Sequence, residues 1–142
     1  MTREEIVRFQ PGPRTDRLVA EKVMGWEEGT NFYIRENRLM LVAAIWDANK
    51  QQWIPTSGLP WSPSTDIAAA WQVLEAMRRN GGRYRIWSPC AEDDEWEVEL
   101  FPGNSDEAAI ARAPSLPLAI CRATLLAATG DEEVKDDRFR LY

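Results

Sequence analysis

The 142-residue chain contains no histidine, and its only cysteines, Cys90 and Cys121, are widely separated. Without imidazole it lacks both the usual general base near neutral pH and the commonest metal ligand, which excludes serine-histidine and cysteine-histidine catalysis. Two distant thiols cannot make a four-ligand zinc site, and in a cytosolic setting they are read as reduced, buried or half-buried side chains. No run of about 18 apolar residues is present to span a bilayer. No GxxxxGK or GxGxxG loop is present to cradle phosphates. Positive charge is also short, with 17 Lys and Arg against 23 Asp and Glu and a net charge of -6, so the counterion release that drives generic nucleic-acid binding is opposed. The expectation is no resident cofactor, no metal, no membrane and no generic nucleic-acid partner.

What remains suits one globular domain over residues 1–142, with 44% apolar and 28% charged residues. The charged start MTREEIVRFQ lacks the apolar stretch of a signal peptide, so a cytosolic location is expected. After the turn-rich QPGPR, Thr15 can cap a helix running to Trp26 that buries Leu18, Val19, Val23 and Trp26, with Gly25 at its end. Residues 32–36 and 39–46 are rich in strand formers, and DANK before QQWIP reads as a hairpin turn, which makes residues 27–59 a strand-rich insertion. In WSPSTDIAAAWQVLEAM, Pro60 and Pro63 block an earlier start, Ser64 or Thr65 can cap, and Asp66 complements the helix dipole. Ile67, Ala70, Trp71, Leu74 and Met77 recur at helical spacing, which puts Trp71 in the core. Asn80-Gly81-Gly82 stops this helix, and strands follow at 83–87, 95–101 and 107–113. The last helix starts at Ser115 with Pro117 in its first turn, is almost wholly apolar, and should end at Gly130. That leaves residues 131–142 as an acidic tail whose Phe139, Leu141 and Tyr142 could dock on a sheet edge or another subunit.

The fold class is therefore α+β: a helix, an inserted hairpin, then α-β-β-β-α in which an antiparallel meander is covered by helices on one face, an α/β sandwich. The same order occurs in double-stranded RNA-binding domains, but those need a lysine-rich start to the final helix, and here that turn reads SLPLAI. Three blocks, RTDRLVAEKVMGW (14–26), WSPSTDIAAAWQVLEAM (61–77) and APSLPLAICRATLLA (113–127), together resemble the phage ABA sandwich domain family. The resemblance implies an α/β sandwich of bacteriophage or prophage origin with no assigned activity, and it brings no catalytic or binding residues. The chain departs from the shorter family pattern by the extra hairpin within residues 27–59, which carries Trp46 and Trp53.

Candidate ligand-binding residues are Trp53, Trp61, Ser64, Thr65, Arg83, Arg85 and Arg122. Trp53 and Trp61, with Trp46, are the tryptophans suited to stacking on a ligand or to a subunit interface; Trp26, Trp87 and Trp96 suit core or edge positions. Ser64 and Thr65 could line a polar nook, although capping is the simpler role. Arg83 and Arg85 share one strand face and could clamp phosphates, or answer Asp93, Asp94 and Glu95 as a surface ion-pair set. Arg122, a charge in an apolar helix, must reach water or find a partner.

Two functional classes stand. The first is a non-enzymatic phage accessory protein in the host bacterial cytosol, a homo-oligomer that sequesters a small nucleotide-like immune signal or inhibits a host defence protein. The second is a metal-assisted carboxylate hydrolase on a nucleotide or peptide using Asp66, Asp93, Asp94 or Glu95. An acidic inhibitor that mimics DNA is a variant of the protein-binding role.

Overall fold

The computed structural model describes residues 1–42, 44–55, 58–90, 92–103 and 107–141, with side chains described for all of these except 44–47, 52–55 and 130–141. The chain opens with a single helical turn, α1 (Arg3–Ile6), closed by a capping box in which Thr2 Oγ1 accepts from Glu5 N and the Glu5 carboxylate accepts from Thr2 N. α2 (Pro13–Leu18) follows and continues as a π-helical turn over Val19–Val23. Thr15 does not cap it. Pro13 occupies the first helical position, where its missing N–H costs nothing, so the helix begins earlier and Thr15 lies inside, buried, donating its hydroxyl to Gln10 O at 2.6 Å. Gly25, at φ +70°, ends the segment as expected, and Trp26 N reaches back to Ala20 O at 2.9 Å.

Residues 27–59 hold two hairpins rather than one. β1 (Phe32–Arg35) pairs with β2 (Arg38–Leu41) through a two-residue turn with positive φ at Glu36 and Asn37, and β3 (Ala44–Asp47) pairs with β4 (Gln52–Pro55). The run 39–46, expected as one strand, is divided because the tight turn folds β2 straight back on β1, in register Phe32↔Leu41.

α3 (Ile67–Arg79) begins at Asp66, whose carboxylate accepts from Ala68 N at 3.2 Å, so the cap is Asp66 and neither Ser64 nor Thr65. It ends at Asn80, where Gly82 N closes on Met77 O. The strands β5 (Arg83–Trp87), β6 (Trp96–Phe101) and β7 (Ala109–Ala113) form the expected antiparallel meander in the order β5-β6-β7. α4 starts at Leu116, beside Ser115, and runs to Leu141. Gly130 does not end it: one glycine costs a helix only about 1 kcal/mol, and the Glu, Lys and Arg that follow are good helix formers. The side chains of Phe139, Leu141 and Tyr142 lie outside the described residues.

α4 is the centre of the molecule. Its residues 118–126 are buried without interruption because β6 and β7 cover one side, α3 a second, and α1 with the π-helical turn a third. Burial of Leu118, Ile120, Leu125 and Leu126 alone contributes on the order of 6–12 kcal/mol. α3 packs against α4 and buries Ala69, Ala70, Val73 and Leu74. That orientation corrects the expectation for Trp71. The buried arc is centred between Ala70 and Val73, and Trp71 lies outside it, 43% exposed, against Tyr84.

Candidate functional site

Alternation along β5, β6 and β7 gives the meander two unlike faces. Val98, Leu100, Ala111 and Ala113 point into the core, whereas Arg83, Arg85 and Trp87 on β5 face away from it. The register sets Arg83 opposite Phe101, Arg85 opposite Glu99 and Trp87 opposite Glu97, while Ile110 and Arg112 of β7 flank the other side of β6, opposite Glu99 and Glu97. Trp87 and Ile110 are about half exposed, at 54% and 49%. This outer face is an open surface of arginines, carboxylates and apolar rings.

At one end of it the Arg83 and Arg85 guanidinium carbons lie 5.4 and 5.9 Å from the centroid of the Phe101 ring, within cation–π range. Arg83, Tyr84, Arg85 and Phe101 line a shallow concavity of about 430 Å³. Among the described residues neither arginine forms an ion pair with a carboxylate. The expected pairing with Asp93, Asp94 and Glu95 is replaced by another: Arg112 donates to Asp93 Oδ2 and to Glu97 Oε1, each at 2.9 Å, and those bonds hold its pKa above the usual value. The acidic loop joins β5 to β6 next to Trp87, roughly 7 and 14 Å along the strand from Arg85 and Arg83. Arg112 sits beside that loop by register with Glu97.

Three of the other expected ligand residues, Trp61, Ser64 and Arg122, face inward. Trp61 is 3% exposed, its ring centroid 4.7 Å from that of Trp26 and its indole N–H donating to Gln72 Oε1 at 2.9 Å, so it offers no stacking wall to a ligand. Ser64 is buried in a tie between loop and helix. Its hydroxyl accepts from Gly12 N at 2.9 Å, and its own N–H donates to Asp16 Oδ1 at 2.8 Å. Burial pushes the Asp16 carboxyl upward in pKa, against the two Ser64 hydrogen bonds that favour its charged form. Thr65 is exposed, its hydroxyl 3.4 Å from Ser62 O. Arg122 finds partners without a carboxylate: Nε and Nη2 donate to Phe9 O at 3.0 and 2.7 Å, and Nη1 to Arg112 O at 2.8 Å, while desolvation lowers its pKa. Trp53 faces Trp46 in the β3–β4 register, and its side chain lies outside the described residues. Of the seven candidates, Arg83 and Arg85 are the two brought together.

Sequence reasoning missed Phe101, although the alternation in WEVELF, continued across the hairpin, would have placed it on the arginine face. It also missed Asp16, a buried carboxylate with no local sequence signal. Of the carboxylates of the hydrolase alternative, Asp66 caps α3 and Asp93 is held by Arg112. Among the described residues no three Cys, Asp or Glu side chains form a group that could hold a metal, and no helix is long and apolar enough to cross a membrane. Cys90 is exposed; Cys121 is buried, which pushes its thiol pKa up.

Fold and site define a small α+β sandwich with an uncovered, arginine-lined sheet face. The chain belongs to the phage ABA sandwich domain family, whose model matches residues 17–125. A phage protein from Bacillus cereus, known from its crystal structure, is similar in fold, with a TM-score of 0.53 at 18% identity over 83% of this chain and 92% of that one. No curated protein matches the chain. This is a bacteriophage-family protein of unassigned activity.

Proposed function

We propose that the protein is a non-enzymatic phage accessory protein of the host cytosol that captures a small nucleotide, removing it as a signal of host defence. The observation that carries the reading is the pair of guanidinium groups at Phe101, free of ion pairs among the described residues, at the mouth of a concavity of about 430 Å³. That volume is within the range of small-ligand sites. Guanidinium planes and an aromatic edge suit a base, and paired Arg N–H donors suit phosphate oxygens.

The test is calorimetry with the full chain against a panel of mono-, di- and cyclic nucleotides, followed by denaturation and chromatography of the released ligand. Binding at micromolar strength or better, loss of it in Arg83→Ala/Arg85→Ala, and recovery of the ligand intact are expected. A panel without a binder, or a binder indifferent to both arginines, overturns the reading. Chemical conversion of the ligand favours the hydrolase instead.

A further inference from the structure

The outer sheet face continues beyond the arginine concavity, and its far end has a ring of its own. Trp87 is 54% exposed, shares the strand face of Arg83 and Arg85, and among the described residues has no ring partner. Along β5 it stands roughly 7 Å from Arg85 and roughly 14 Å from Arg83. The face thus presents two flat surfaces, the Phe101 ring with the Arg83 and Arg85 guanidinium groups over it and the Trp87 indole, with Arg85 the nearer of the two arginines to Trp87 along the strand.

Charge along this line is graded. Arg83 and Arg85 against Glu99 leave the near end and middle net positive, whereas the Trp87 end holds Glu97 and Asp93 around the single Arg112. A phosphate is therefore favoured over Arg83 and Arg85 and disfavoured beside Trp87, where an uncharged planar group fits. Bases stacked on one another lie only ~3.4 Å apart, so a ligand filling both surfaces must hold its bases splayed.

From this spacing, and resting on the nucleotide reading above, we infer that the ligand is a dinucleotide: one base on the Arg83–Phe101 layer, the other on Trp87, with the phosphodiester held at Arg85. Glu99 beside Arg85 can accept from a sugar hydroxyl, and it makes a triphosphate a poor fit.

The experiment is calorimetry with the full-length protein and five probes: AMP, ATP, the linear dinucleotide ApA, cyclic di-AMP and hexaadenylate. A dinucleotide, linear or cyclic, is expected to bind roughly 10- to 100-fold more tightly than AMP, the increment of one further stacked base, and ATP no more tightly than AMP. Whichever dinucleotide binds better identifies its form. Trp87→Ala should erase the dinucleotide advantage without changing AMP affinity or the melting temperature, and Trp87→Phe should restore most of it. Equal affinity for AMP and both dinucleotides, an advantage that survives Trp87→Ala, or affinity that keeps rising to hexaadenylate overturns the dinucleotide assignment while leaving the arginine site intact. Failure of every probe, AMP included, removes the nucleotide reading and this inference together.

Discussion

Replacing Arg122 by methionine keeps much of an aliphatic stem in α4 and removes every guanidinium donor. In the native chain that group, 7% exposed, closes three bonds to two main-chain carbonyls, those of Phe9 and Arg112. Each carbonyl left without a donor costs about 1–3 kcal/mol, so the two together cost about 2–6. Part of that is returned, because methionine carries no charge to desolvate, and desolvation is the effect that lowers the Arg122 pKa. The expected net loss is about 2–4 kcal/mol. In urea, with a slope of about 2 kcal/mol per molar, the midpoint should fall by about 1–2 M. Arg122→Lys keeps the charge but has no planar fork with which to reach both carbonyls, so it should fall between wild type and methionine. Amide hydrogen exchange should report the same bonds locally, with residues 6–9 exchanging faster in the methionine variant. A midpoint displaced by less than about 0.3 M, with unchanged exchange in that segment, would refute the claim that Arg122 pins the N-terminal segment to α4.

Three further outcomes follow from the packing. Trp61→Ala should cost about 3–5 kcal/mol and Trp71→Ala less than about 1.5, because only the first ring is buried and hydrogen-bonded; thermal melts of the two variants measure the difference, and equal losses would contradict the helix orientation. Gly58→Ala should destabilise by about 1–3 kcal/mol, since its Cβ would strike the Tyr33 hydroxyl and lie 2.7 Å from Leu41 O; adding Tyr33→Phe should recover only part, because the carbonyl cannot withdraw. Burial raises the pKa of Asp16 in the folded chain above the ordinary aspartate value of 3.8, so its contribution is fully present below about pH 3.8 and is lost as pH rises through the folded pKa. Asp16→Asn should abolish that downward step in a pH series of urea midpoints while still accepting from Ser64 N, whereas Asp16→Leu, which strands that amide, should cost about 1–3 kcal/mol at neutral pH.

The helices and the meander were readable because their signals are local. SLPLAICRATLLAA has no polar face to give to water, and WEVELF alternates with the period of a strand, so neither segment needs a partner to be recognised. Punctuation was local too where a residue imposes its own backbone, as at Gly25 and at Asn80-Gly81-Gly82. Errors arose where two signals competed within a few residues. Thr15 lost the capping position to Gly12 and Pro13, Ser64 and Thr65 lost it to Asp66, and Gly130 was too weak a stop against the helix formers after it.

The candidate site divided in the same way. Arg83 and Arg85 could be placed on one strand face by counting residues, but their lack of an ion pair among the described residues depends on which basic side chain the Asp93 loop reaches, and that loop gives its carboxylate to Arg112 on β7. Trp71 and Trp61 exchanged roles for a reason no local pattern contains. Helix periodicity marks a broad apolar surface on α3, and only the way α3 is turned against the rest of the core selects the Ala69, Ala70, Val73 and Leu74 part of it for burial.

Composition and order along the chain were thus sufficient to determine a histidine-free, acidic α+β domain, the presence and order of its three-strand meander and two apolar helices, and its likeness to a phage family. Tertiary structure alone decided which face of each element is wet, that Arg122 is spent on main-chain carbonyls, and that two arginines converge on Phe101. Periodicity is a property of one segment, whereas burial and charge pairing depend on the distance between segments remote in the chain, which closes only when the core packs.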